Sequence, residues 1–154
     1  MREREYRIWD ISANEWYKPD YMAYEGHVFE LLITTHGELI ARIVDGSITE
    51  IYHQSSFNDI GIGPYVVEDF TGLLDKNGKK IYENDIIRSN DFWPTTPEER
   101  FSVIGIVTFE NGAFGYSLTY VIPSISDSNI TVRRDLSECE IIGNVHENHE
   151  LLYD

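Results

Sequence analysis

The segment His146-Glu147-Asn148-His149-Glu150 sets two imidazoles and two carboxylates within five residues. A zinc-protease helix needs its histidines four residues apart, so that both rings share one helical face. Here they stand three apart and no third ligand is apparent, so they read as solvated side chains rather than a metal centre. His27, His36 and His53 lie in or beside extended segments, with no serine elbow or cysteine nucleophile to complete a triad. Gly61-Ile62-Gly63 lacks the third glycine and the following helix of a dinucleotide fingerprint, and Gly78-Lys79-Lys80 lacks the first glycine of a phosphate-binding loop. Both read as turns. An acidic pair such as Glu68-Asp69 says almost nothing about acid–base catalysis in a chain this acidic. No catalytic residue, metal ligand or cofactor site is assigned, and the expectation is a protein that is not an enzyme and carries no cofactor.

One cationic group stands apart. Lys76, Lys79 and Lys80 cluster in sequence, with Arg88 close behind. As structure, they form a solvated hairpin tip that blunts sheet association. As function, they are an anion or nucleic-acid contact, suited to a single strand with Tyr82 or Trp93 stacking on its bases. Arg133-Arg134 would join them only if the fold brings it there. The global charge opposes general nucleic-acid binding. The chain has 154 residues, with 27 acids against 12 bases and a net charge of −15. Phosphate backbones are repelled by such a surface, so nucleic acid is disfavoured in bulk. The acid either keeps the protein soluble or imitates nucleic acid for a basic partner.

The elements that must carry these residues are strands. Residues 4–10 alternate, and Trp16-Tyr17 reads as a short return strand before a turn at Lys18-Pro19-Asp20. From His27 to His53 the pattern is a meander, with turns at His36-Gly37 and Asp45-Gly46. Residues 55–64 are punctuated by Asn58-Asp59 and by Gly61, Gly63 and Pro64, the expected boundary between subdomains at residues 1–64 and 65–154. Beyond it, Tyr65–Phe70, Ser102–Phe109, Phe114–Ile122, Ile130–Val132 and Ser137–Ile142 read as strands, and Ile81–Arg88 holds a tight turn at Tyr82–Asp85 before a buried strand with Ile86 and Ile87 entering the core. Asn77-Gly78 and Asn111-Gly112 close hairpins, residues 90–100 and 123–129 are loops, and His146–Leu152 forms one helical turn. Short strands at this spacing predict small barrels or a sandwich. Aromatic residues at 13% suit a pleated interior.

Cys139 is the only cysteine, so no intrachain disulfide forms, and a cytoplasmic protein is expected. It stands beside Ile141 and Ile142, where a buried, unreactive thiol is the default. No segment has the roughly 18 apolar residues of a spanning helix, and the start leads into no apolar signal region, so no membrane association is expected.

Four stretches resemble the YopX family of phages and prophages. They are Arg7-Ile8-Trp9-Asp10, residues 69–88 from Asp69-Phe70-Thr71-Gly72 to Ile86-Ile87-Arg88, Gly105-Ile106-Val107, and residues 141–152 from Ile141-Ile142-Gly143-Asn144 to Leu151-Leu152. The family usually has glycine where Asn84 stands and often proline where His149 stands. Asparagine is the next best residue for a left-handed backbone, so the turn at Asn84 is expected to persist. The resemblance implies a mainly β fold, with a small SH3-like barrel in the C-terminal half and a β-rich N-terminal part. It implies no established activity and no known site. The residues and the resemblance together lead to an accessory protein acting through contacts with a host or phage protein, and as a homo-oligomer. The alternative is a nucleic-acid-related module, acting through the Lys76–Lys80 hairpin or through acidic mimicry.

Overall fold

Alternating hydropathy and glycine-marked turns shape most of the chain. The computed structural model describes residues 4–22, 26–92, 101–110, 112–122, 131–132 and 136–152. In chain order the strands are β1 (Tyr6–Asp10), β2 (Glu15–Trp16), β3 (Asp20–Met22), β4 (His27–Ile33), β5 (Leu39–Asp45), β6 (Ile48–His53), β7 (Tyr65–Leu74), β8 (Lys80–Tyr82), β9 (Asp85–Phe92), β10 (Phe101–Glu110), β11 (Ala113–Ile122), β12 (Thr131–Val132) and β13 (Glu140–Asn144). Short 3-10 turns cover Gln54–Ser56, Leu136–Glu138 and His149–Leu152. Strands make up most of the described residues and 3-10 turns few of them, so the mainly β class holds. None of the described helices is long and apolar enough to cross a membrane.

Two compact units divide the chain: residues 1–7 with 68–154, and residues 8–67. The unit of residues 8–67 holds an antiparallel sheet of order β3-β4-β5-β6. Its register pairs Leu31 with Ala41 and Ala41 with Tyr52. Leu31, Leu39 and Ala41 are buried, as period-two alternation requires of a sheet with one inward face. The predicted turns carry positive φ at Gly37 (83°) and Gly46 (61°), a conformation that glycine reaches without a side-chain clash. The turn read at Lys18-Pro19-Asp20 ends a residue early: Asp20 is already strand and pairs with Phe29. In the same unit Trp9 pairs with Trp16, and their rings meet edge to face at 5.0 Å.

The larger unit holds a five-stranded sheet of order β12-β11-β10-β9-β13. Its core is Ile81, Ile87, Val107, Tyr116, Leu136 and Cys139, with Phe114 and Ile141 packed against them. The expected burial of Cys139 is met at 1% exposure. The expected turn before a buried strand is present: β8 and β9 part at Glu83-Asn84, where Asn84 turns the backbone at φ 63°. Two sequence expectations need correcting here. Residues 90–92, read as loop, continue β9, and Phe92 pairs with Phe101. Ser137 and Glu138 belong to a 3-10 turn, and strand begins only at Glu140, where backbone pairing with β9 becomes available. The expected loops at residues 93–100 and 123–129, with Trp93 and Arg133-Arg134, lie outside the described residues.

Candidate functional site

In the larger unit four ionisable side chains from distant parts of the chain converge. Arg7 donates through Nη2 to Glu68 Oε2 at 3.0 Å, to Asp85 Oδ1 at 2.7 Å and to the Glu83 carbonyl at 3.2 Å. Its guanidinium lies 4.7 Å from the centre of the Tyr82 ring. His146 Nε2 meets the other Glu68 oxygen. Asp85 Oδ2 accepts the Tyr82 N–H at 2.8 Å. The Glu68 side chain is fully buried and that of Asp85 is 3% exposed. Burial, first of all, pushes the Asp85 carboxyl above the ordinary carboxylate range, and the neighbouring Glu68 adds to this. The Tyr82 N–H and Arg7 pull the other way without prevailing.

Local structure explains how each group arrives. Glu68 stands on β7, and Asp85 opens β9 directly after the left-handed Asn84. Asn84 also bonds both ways, its N–H to the Val107 carbonyl at 2.9 Å and its carbonyl from the Val145 N–H at 3.0 Å. His146 is set by a turn in which Asn144 Oδ1 accepts the N–H groups of His146 and Glu147. Asn148 lies so close over Gly143 that a Cβ there would come within 2.5 Å of Asn148 Oδ1, so only glycine fits without a shift. The reading of His146 as a solvated side chain is thus wrong. Its side chain is 14% exposed and bound to a buried acid. Sequence reasoning also passed over Arg7, Glu68 and Asp85. The available signal was Glu68 itself, a carboxylate in the strand run Tyr65-Val66-Val67 that needs a partner if buried.

A carboxylate beside an imidazole is a common orienting pair for acid–base chemistry. Here Glu68 also serves Arg7, and Arg7 also serves Asp85, so the four groups are tied to one another. A second buried acid, Asp75, clamps the β7–β8 turn. Its Oδ1 accepts the N–H groups of Asn77 and Lys79, and its Oδ2 that of Ile141 on β13. Burial opposes ionisation of Asp75, yet these three donors outweigh it and hold the carboxyl below its usual range. No group of three or more metal-ligating side chains occurs among the described residues.

The sequence-predicted cations lie on this framework. Lys76 Nζ is 3.5 Å from Glu140 Oε2, and Arg88 is the cross-strand partner of the same Glu140. Lys80 pairs with Glu5 and lies 5.5 Å from the centre of the Phe70 ring. Lys79 and Arg88 are exposed and have no ion pair among the described residues. Tyr82, offered as a stacking platform, lies under Arg7.

The smaller unit presents a different surface. Among the described residues β6 is an edge strand, with Ile48 62% exposed and Ile51 57% exposed. Directly after it, Gln54, Phe57, Asn58, Ile62, Pro64 and Tyr65 border a cleft of about 280 Å³. Phe57 is buried and meets Tyr65 edge to face at 6.0 Å. Bonds from Phe57 N–H to the Gln54 carbonyl and from Ile62 N–H to the Phe57 carbonyl hold the cleft's loop. Burial, then the charge of Asp10, raises the pKa of the Tyr65 hydroxyl, which therefore stays neutral. The side chains of Gln54 and Asn58 are exposed, with no hydrogen bond among the described residues.

Comparison with known proteins bears on the fold as a whole. Residues 5–153 match the sequence profile of the YopX family, described as YopX protein. The crystal structure of the protein yopX from Bacillus subtilis aligns at a TM-score of 0.50 and 22% identity, covering 98% of each chain. That of protein EF1440 from Enterococcus faecalis aligns at 0.49 and 22%, covering 97% of this chain and 98% of the other. No curated protein matches the chain.

Proposed function

The chain belongs to the YopX family, and from that premise we propose that it is a non-enzymatic phage or prophage accessory protein that works through protein contacts, self-association among them. The observation that carries this reading is β6, an edge strand with Ile48 and Ile51 turned to solvent. An unpaired edge with apolar side chains is a template for another strand, and natural sheets usually blunt such edges with charge or proline. β6 has neither a lysine nor a proline, and its one acid is Glu50. The buried cluster supports the non-enzymatic part of the proposal: Arg7, Glu68, Asp85 and His146 are engaged with one another in a structural role.

Light scattering on the native chain and on Ile51→Glu tests this. The native chain is expected to exceed one chain mass at high micromolar concentration, and Ile51→Glu to stay at one. A native chain of single mass throughout contradicts self-association. Nucleic-acid contact through Lys76, Lys79, Lys80 and Arg88 is the weaker reading, because Lys76 and Lys80 already face carboxylates. It is supported instead if single-stranded DNA retains the protein at low salt and Lys79→Glu abolishes that retention.

A further inference from the structure

Building on that self-association, we propose that two copies join their β6 strands antiparallel about a two-fold axis through Ile51, each placing its Ile48 at the mouth of the other's cleft. A two-fold axis that makes adjacent strands antiparallel stands perpendicular to the sheet. Opposed residues then lie on the same face, and one residue must stand opposite its own copy. β6 runs from Ile48 to His53, so a Glu50 or Ile51 centre pairs five of its residues and a Thr49 or Tyr52 centre only three.

Side-chain chemistry chooses among them. Centring on Glu50 sets two carboxylates directly opposite each other, which is destabilising. A Thr49 centre sets Ile48 against Glu50 and Ile51 against Ser47, leaving both exposed isoleucines beside polar partners. With Ile51 central, Ile51 packs on its own copy and Thr49 faces His53. Glu50 then faces Tyr52, whose hydroxyl already donates to Glu50 within one chain. Of the two registers that pair five strand residues, this one alone sets no acid against an acid, and it forms an apolar pair at the centre. It also sets Ile48 of the second copy opposite Gln54, which borders the cleft walled by Phe57, Ile62, Pro64 and Tyr65. The cleft offers that isoleucine apolar walls with no ionised side chain lining them. A six-residue edge buries less than the roughly 1,000 Å² of a stable specific interface, so the dimer is a weak one that forms at high concentration.

Single-cysteine scanning reads the register directly. Cross-strand Cα atoms lie about 4.5–5.5 Å apart, within the span of a disulfide, and only the central residue faces its own copy. Thr49→Cys, Glu50→Cys and Ile51→Cys are all at exposed positions, so folding is undisturbed, and native Cys139 is 1% exposed. Under oxidised glutathione, Ile51→Cys is expected to form a linked dimer fastest. Faster linkage at position 49 or 50 overturns the register. Absence of linkage at all three, with a native chain that still dimerises, overturns edge pairing while self-association stands. A native chain that never dimerises removes the reading on which the proposal rests. Ile48→Ser is expected to weaken dimerisation about tenfold, as loss of a buried apolar contact does, and unchanged dimerisation takes the cleft out of the interface.

Discussion

Glu68 shows how burial changes the worth of one ion pair. Arg7–Glu68 and Arg4–Asp69 are close in geometry, at 3.0 and 2.8 Å. The Glu68 side chain is fully buried, whereas those of Arg4 and Asp69 are 47% and 34% exposed. An exposed pair contributes up to about 1 kcal/mol, while removing one member of a buried pair costs about 3–5 kcal/mol because a charge is left uncompensated. Urea denaturation should therefore place Glu68→Ala at that larger cost and Asp69→Ala well below it, and equal costs would contradict a locking role for the cluster. The two shifted aspartates predict opposite pH behaviour. Asp85 has a raised folded pKa, so its stabilising contribution is present below the ordinary carboxylate range and is lost as pH rises through the raised value. Relative to Asp85→Asn, the native chain should lose stability over that rise. Asp75 has a lowered folded pKa, so its contribution is present above the ordinary range and is lost as pH falls through the lowered value. Asp75→Asn should accordingly flatten the acid side of the stability curve. None of these four partners was legible as a cluster, because Arg7, Glu68, Asp85 and His146 span 139 positions and only the fold brings them together. The turn chemistry around them was legible, down to the left-handed Asn84.

Turns decide where strands deliver their side chains. Asn84 stands at φ 63° between β8 and β9, with its N–H and carbonyl both bonded. A residue with a Cβ that cannot bond locally pays more there, whereas glycine does not. Asn84→Ala is expected to cost about 1 kcal/mol in denaturant unfolding and Asn84→Gly close to nothing. A cost for glycine equal to that of alanine would show that the asparagine side chain, and not the backbone, matters. The meander of β4, β5 and β6 was legible because alternation and the glycine turns at Gly37 and Gly46 agree on one register. The turn at Glu83-Asn84 was legible too, because a polar stretch stands there between apolar Ile81 and the Ile86-Ile87 pair. The 3-10 turn at Leu136–Glu138 was missed because Cys139 and Ile141 stand two apart as in a strand, whereas buried Leu136 and Cys139 stand three apart, the period of a 3-10 turn.

At the scale of the molecule, charge sets the terms of association. Two copies that each carry −15 repel before they touch. The Debye length is about 10 Å at 0.1 M salt and about 3 Å at 1 M, so added salt removes most of that repulsion while leaving apolar contact intact. Self-association through Ile48 and Ile51 should therefore tighten as salt rises, whereas nucleic-acid contact through Lys79 and Arg88 would weaken. Composition made the repulsion legible; the open edge of β6 emerged only from the strand order. The most direct test is sedimentation equilibrium of the native chain at about 0.05 M and about 0.5 M salt. The predicted result is a reversible monomer–dimer equilibrium with the dimer favoured at the higher salt. A single monomeric species at both salts, up to the highest attainable concentration, would contradict it.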